Sequence, residues 1–112
     1  MLQQGSIVWV TINDPNGRNP KRRPAVVVSP TSTIQSGEPI VVVAATTQVE
    51  KPLPNNRFLL PWHRSGHPVT KLKSECVAVC DWLAEIDQSA IEAIGGVCPQ
   101  NVLIQILAMI PA

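Results

Sequence analysis

Apolar and polar positions change rhythm several times along this chain, and each change marks an element. Residues 5–12 alternate, with Ile7, Trp9 and Thr11 on one face and Val8, Val10 and Ile12 on the other. Both faces are largely apolar, which predicts a first strand in a closed barrel or in a sheet covered on both sides. Residues 25–28 and 40–45 are apolar without alternation, the pattern of central strands buried on both faces. Asn13, Asp14, Pro15, Asn16 and Gly17 are dense turn chemistry between the first two strands. Residues 30–39 are polar, contain Gly37 and read as a surface loop. Pro52, Pro54, Pro61 and Pro68 break the next stretch and leave room for a short strand over 57–60. Residues 75–81 and 83–86 read as two further short strands.

The last quarter of the chain turns helical in pattern. Asp87 or Ser89 caps a short helix, Ser89 and Glu92 have capping-box spacing, and Gly95 and Gly96 stop it. Pro99 suits the first position of a closing helix, along which Val102, Leu103, Ile106, Leu107 and Ile110 recur as one apolar stripe. Many short strands followed by late helices predict a mainly β chain, a small antiparallel barrel with a short helix and a C-terminal helix packed on it.

Composition narrows the class. With 112 residues, 45% hydrophobic and 15% charged, the chain reads as one globular domain over residues 1–112, without repeats or linkers. A net charge of +1 argues against bulk attraction to nucleic acid, yet Arg18, Lys21, Arg22 and Arg23 gather four of the nine Lys/Arg within six positions. A local patch of that kind holds a phosphodiester backbone without making the whole protein basic. The N-terminus lacks a basic region followed by an apolar one, and no uncharged apolar run reaches the roughly 18 residues of a membrane span. The expectation is a soluble, cytoplasmic protein without membrane contact. Cys76, Cys80 and Cys98 are odd in number and read as core residues rather than a disulfide framework. The two histidines, His63 and His67, sit in a Pro/Gly loop, so no metal site is expected.

The candidate chemistry centres on Arg23. Pro24 pushes the residue before it into extended geometry and suits the first position of a strand. Arg23 therefore leaves the basic loop with its backbone held by a core strand and its side chain at the rim. A guanidinium fixed in that way offers its fork of donors to a phosphate or carboxylate with little reorganisation. A solvated basic loop, or an arginine paired with a nearby acid, accounts for the same residues equally. Further along, Trp62, His63 and Arg64 combine an aromatic ring with cations, the composition of a single-strand nucleic-acid contact. A loop with one anchoring tryptophan is the simpler reading there.

At this point the chain resembles the MazF/PemK toxins of bacterial type II toxin–antitoxin systems. Gly5-Ser6-Ile7-Val8-Trp9-Val10 is similar to their opening strand, followed by the Asp14-Pro15 and Gly17 turn. Arg23-Pro24-Ala25-Val26-Val27-Val28-Ser29 resembles their most recognisable motif, and Val41-Val42-Val43-Ala44-Ala45-Thr46-Thr47 resembles their third strand. The resemblance implies an SH3-like (MazF/CcdB-like) barrel, usually a homodimer. It also implies a metal-independent, cofactor-free endoribonuclease that cuts single-stranded RNA sequence-selectively, leaves 2′,3′-cyclic phosphate and 5′-OH ends, and is neutralised by a cognate antitoxin. By motif position, Arg23 carries over as the catalytic arginine and Thr47 as the catalytic threonine. Arg18, Asn19, Lys21, Arg22, Trp62, His63 and Arg64 are the expected RNA contacts. The chain departs from the family pattern twice. Asn19 and Pro20 stand where a loop glutamate is common, and Asp81 or Trp82 where a glutamine is common. A catalytically weak or inactive binding module stays open as the alternative, since the same barrel hosts toxins that bind DNA gyrase.

Overall fold

The two uninterrupted apolar runs lie at the middle of one sheet. In the computed structural model, which describes residues 2–111, strands form over Ser6–Ile12 (β1), Lys21–Val27 (β2), Ile40–Thr46 (β3), Arg57–Leu59 (β4), Val77–Ile86 (β5) and Ala93–Val97 (β6). Helices form over Thr31–Gln35 (α1) and Gln100–Met109 (α2). The six strands pair antiparallel in the order β4-β5-β3-β2-β1-β6 and curl into a half-barrel, the mainly β architecture expected.

Because strand side chains alternate between faces, each face of this sheet carries its own core. Ile7, Val26, Val43 and Ala45 pack on one face with Val102, Leu103 and Ile106 of α2. Val8, Val10, Ala25, Val27, Val42 and Ala44 pack on the other with Ile34 of α1. The apolar stripe of α2 is thus buried at Val102, Leu103 and Ile106, while Ile110 is half-buried and Leu107 exposed. Cys76, Cys80 and Cys98 all lie in the first core. Burial pushes the Cys76 thiol up to about 11 and, with a smaller push from Cys76, the Cys98 thiol up to about 12. No helix among the described residues is long and apolar enough to cross a membrane.

Pro24 does not open the second strand as expected: β2 starts at Lys21, because residues 21–24 pair with β1 alone and the proline needs no donor on the β3 side. Three further segments differ from the sequence-based expectation. Residues 30–39 are not all loop: Thr31–Gln35 turns helical and plugs Ile34 into the second core. A single apolar residue in a polar stretch leaves no periodicity to detect. The short helix expected before Gly95 is only a 3₁₀ turn over Gln88–Ala90, and Gly95 and Gly96 lie within edge strand β6. The Glu92 carboxylate, expected to complete a capping box, instead accepts the Thr11 hydroxyl at 2.5 Å and pairs with Arg22 at 3.4 Å. Gly96 is there because a loop backbone crosses it. A Cβ would overlap the Val69 carbonyl oxygen, while Gly96 N–H donates to Thr70 O at 3.2 Å and Val97 N–H to Val69 O at 3.0 Å.

The third difference concerns β5, expected as two strands. It is one strand with a bulge: Val43 faces Leu83 but Ala45 faces Ala78, so β5 carries extra residues between these pairs. Bulges bend a strand and re-aim its side chains. The expected break at position 82 is this bend, and it turns Trp82 towards the end of the sheet where β2 begins.

Candidate functional site

Antiparallel pairing brings the start of β2 and the end of β3 to the same end of the sheet. Ala25 faces Ala44, so the residues just before Ala25 and just after Ala44 converge there. A groove of about 660 Å³ opens at that end, and Arg23, Pro24, Thr46 and Thr47 all line it. Arg22 and Arg23, being successive on a strand, point to opposite faces, and each finds its own indole. The Arg22 guanidinium lies 4.8 Å from the centroid of the Trp9 ring, and that of Arg23 lies 4.8 Å from the centroid of the Trp82 ring. Such stacks attract a cation to the negative face of the ring, and the guanidinium edges bond in the plane, Arg22 Nε meeting Glu92 Oε1 at 3.4 Å.

Arg23 is further restrained from behind. Its Nε donates to Ile12 O at 3.3 Å and its Nη2 to Asn19 O at 3.4 Å. Asn19 itself sits at a φ of +53°, a left-handed conformation that asparagine tolerates better than most residues. Its side-chain amide donates to Asp14 Oδ2 at 2.8 Å, while Asp14 Oδ1 accepts the N–H groups of Asn16 at 3.0 Å and Arg18 at 2.9 Å. The Arg18 backbone bond, followed by the Asn19 amide, holds the Asp14 carboxyl below its usual range. Asp14 therefore orders the basic loop, and the loop in turn braces Arg23.

Thr47 is exposed one residue past β3, and Thr46 Oγ1 accepts Gln48 N–H at 3.1 Å, which fixes the turn around it. Of the other expected contacts, Asn19, Lys21 and Arg22 line the groove with Arg23 and Thr47. Arg18 lies in the same loop but outside the groove lining, and Trp62, His63 and Arg64 lie in the β4–β5 loop away from it. Trp9, Trp82 and Arg57 also line the groove; none is among the expected RNA contacts, and only Trp82 stands at a marked position, where a family glutamine is common. The only signals were a tryptophan at a strand break and an arginine opening a short strand after Pro52 and Pro54. Arg57 contributes a further cation, 3.4 Å from Glu50 Oε1. Four cations (Lys21, Arg22, Arg23, Arg57) thus face two acids (Asp14, Glu50) around the groove. Among the described residues no cluster of three His, Cys, Asp or Glu side chains is arranged to hold a metal ion.

Comparison with known proteins follows the same lines. The profile of a family described as PemK-like, MazF-like toxin of type II toxin–antitoxin system matches residues 3–112. No curated protein matches the chain. Among solved structures, the MazE–MazF complex of Deinococcus radiodurans in crystal Form-II aligns with a TM-score of 0.68 at 23% identity, covering 96% of this chain and 89% of that one. Form-III of the same complex aligns with a TM-score of 0.68 at 21% identity, covering 96% and 90%. At such identities the structural likeness speaks for the fold, and the family assignment rests on the profile. The chain belongs to the PemK-like, MazF-like toxin family of type II toxin–antitoxin systems.

Proposed function

We propose that this chain is a metal-independent endoribonuclease toxin that cuts single-stranded RNA, acting in the cytoplasm as one domain over residues 1–112. The observation that carries the reading is the meeting of Arg23 and Thr47 in one cationic groove, with Arg23 braced by Trp82, Ile12 and Asn19. In the reaction the ribose 2′-OH attacks the adjacent phosphorus, loses its proton, and expels the 5′-oxygen, which takes up a proton. The products carry a 2′,3′-cyclic phosphate and a 5′-OH. Negative charge gathers on the non-bridging oxygens as the bond forms, and a preorganised guanidinium aimed there stabilises that state. Arg23 fills this role. The Thr47 hydroxyl donates to the same phosphate and fixes its orientation; being a weak acid and base, it contributes through placement. Lys21, Arg22 and Arg57 hold neighbouring phosphates, and Asn19 keeps the loop closed behind Arg23.

The excess of cations over acids in the groove also suits an extended acidic peptide, and the similar structures are MazE–MazF complexes. An antitoxin segment laid along this groove would exclude RNA by occupying the same donors. Two copies of the chain, related by a two-fold axis, would set two such grooves along one RNA strand.

The test is incubation of the pure protein with a long unstructured RNA in excess EDTA. Cleavage should persist, and Arg23→Ala should abolish it while the variant still melts cooperatively as a folded protein. Arg23→Lys should rescue poorly because an ammonium lacks the planar fork. Activity lost in EDTA and restored by a divalent ion, or full activity in Arg23→Ala, would reject this reading. Binding of RNA without cleavage would favour the binding module.

A further inference from the structure

Beyond Thr47 the groove does not end. Trp9, Pro24 and Thr47 also line a second cleft of about 320 Å³, which continues over Leu72 to Lys71 and Lys73 of the β4–β5 loop. That volume lies at the lower end of ligand sites, roughly 300–1,000 Å³, and suits one nucleotide rather than a run of them. The Lys71-Leu72-Lys73 triplet divides its duties: Leu72 is buried and both lysines are exposed. Neither lysine takes part in an ion pair among the described residues.

Lys71 is held in an unusual backbone state. Its φ is +63°, and Asn19 and Lys71 are the two non-glycine residues with positive φ among those described. Strain of this kind persists only where surrounding structure enforces it, and it collects at ligand sites. Asn19 lines the Arg23 groove and Lys71 lines its extension. The enforcing structure is a tightly bonded loop. Lys71 N–H donates to His67 O at 2.9 Å, and His67 and His63 N–H groups both donate to Leu72 O at 3.1 Å. His67 Nδ1 accepts the N–H groups of Val69 at 3.1 Å and Thr70 at 3.2 Å. The buried Thr70 hydroxyl donates to Pro61 O at 2.8 Å and accepts Leu72 N–H at 3.2 Å. This scaffold fixes the lysines over the cleft while their side chains do nothing visible for the fold.

Resting on the ribonuclease reading, we propose that this cleft is a second nucleotide subsite. One base of the RNA strand seats against Trp9, Pro24 and Leu72, and Lys71 and Lys73 contact its phosphate. Trp9 forms the partition: Arg22 covers it on the groove side, and its remaining surface serves the base. An aromatic and apolar seat accepts any base by its flat face, with phosphate cations at the entrance.

The experiment uses a 2′-deoxy analogue of the single-stranded substrate, about 12 nucleotides long, titrated against the full-length protein across a salt series. The variants are Lys71→Gly, which removes the charge and also suits the left-handed backbone, and Lys73→Gln. The double variant should melt no lower than the wild type, bind roughly ten-fold more weakly, and show a salt slope reduced by about 1.4, two single-strand phosphate contacts at about 0.7 each. 5-Iodouracil introduced along the oligonucleotide should photo-crosslink to Trp9 from one position. Equal affinity and slope in the double variant, with a wild type that binds and cuts RNA, would overturn the subsite alone. Crosslinks confined to Trp62 or Trp82 would overturn it as well. A wild type that neither binds nor cuts would overturn the ribonuclease reading and the subsite with it.

Discussion

Trp82→Leu isolates what holds Arg23 in place. Leucine keeps an apolar side chain against the second core but removes the ring face that lies 4.8 Å from the guanidinium. The other two restraints on Arg23 are long, at 3.3 and 3.4 Å, well beyond the usual N–H···O distance of about 2.9–3.0 Å, so each contributes at the low end of about 0.5–1.5 kcal/mol. A cation–π contact is worth about 0.5–1 kcal/mol when exposed and about 2 when desolvated. Arg23 and Trp82 are both half-buried, which places the stack between those limits, at about 1–2 kcal/mol. It is then the strongest single restraint. Losing it should slow the chemical step by about 5- to 30-fold, with KM little changed, because the substrate's other phosphate contacts remain. Trp82→Phe keeps a ring face and should recover most of the rate. The assay is single-turnover cleavage of a short single-stranded RNA, with thermal melting to confirm folding. A Trp82→Leu variant that cuts within about two-fold of the wild-type rate would refute the argument that the stack positions Arg23.

Gly96→Ala should destabilise by about 3 kcal/mol or more, since the new Cβ would overlap the Val69 carbonyl and lie 2.6 Å from the Thr70 carbonyl carbon, and neither backbone can yield cheaply; thermal melting checks it. The raised Cys76 and Cys98 thiols give a stabilising contribution that is fully present below the ordinary thiol value of 9.0 and lost as pH rises towards about 11 and about 12. Melting temperature should therefore fall across that alkaline window, and Cys98→Ala should flatten the slope. The chain should form a homodimer that buries at least roughly 1,000 Å² in total and survives high salt, while RNA binding weakens steeply with it. Light scattering across micromolar concentrations, read beside RNA binding at low and high salt, checks both halves of that statement.

The centre of the fold was legible because it is written in local pattern. Alternation in residues 5–12 and continuous apolar runs at 25–28 and 40–45 placed β1, β2 and β3, including which residues of β1 share a face. The seam at Pro24 was legible only in part: Arg23 and Pro24 already lie inside β2, which starts at Lys21 and pairs with β1 there, and only the pairing with β3 begins at Ala25. What escaped depends on contacts between distant segments. Gly95 and Gly96 look like a helix stop, and only the crossing of the loop at Val69 and Thr70 makes them strand residues. Trp82 marked an apparent gap between strands, yet the bulge that carries it to Arg23 appears only once β5 is laid against β3. Asp14 read as turn chemistry, and its bond to the Asn19 amide, which ties it to the brace behind Arg23, has no sequence signature. The cationic loop and the strand end were visible separately; their meeting in one groove is a product of antiparallel register.

The most direct test of the central claim replaces the 2′-OH at the cut site. Once the cut position is mapped on an unmodified RNA, the same strand is made with a single 2′-deoxy nucleotide on the 5′ side of that bond and incubated with the protein in EDTA. A nucleophile supplied by the substrate requires that this one bond resists cleavage. The unmodified strand should give a 2′,3′-cyclic phosphate and a 5′-OH, and Thr47→Ala and Arg23→Ala should each suppress its cutting. Cleavage of the deoxy-substituted bond at an undiminished rate, or products ending in a 5′-phosphate, would contradict the account.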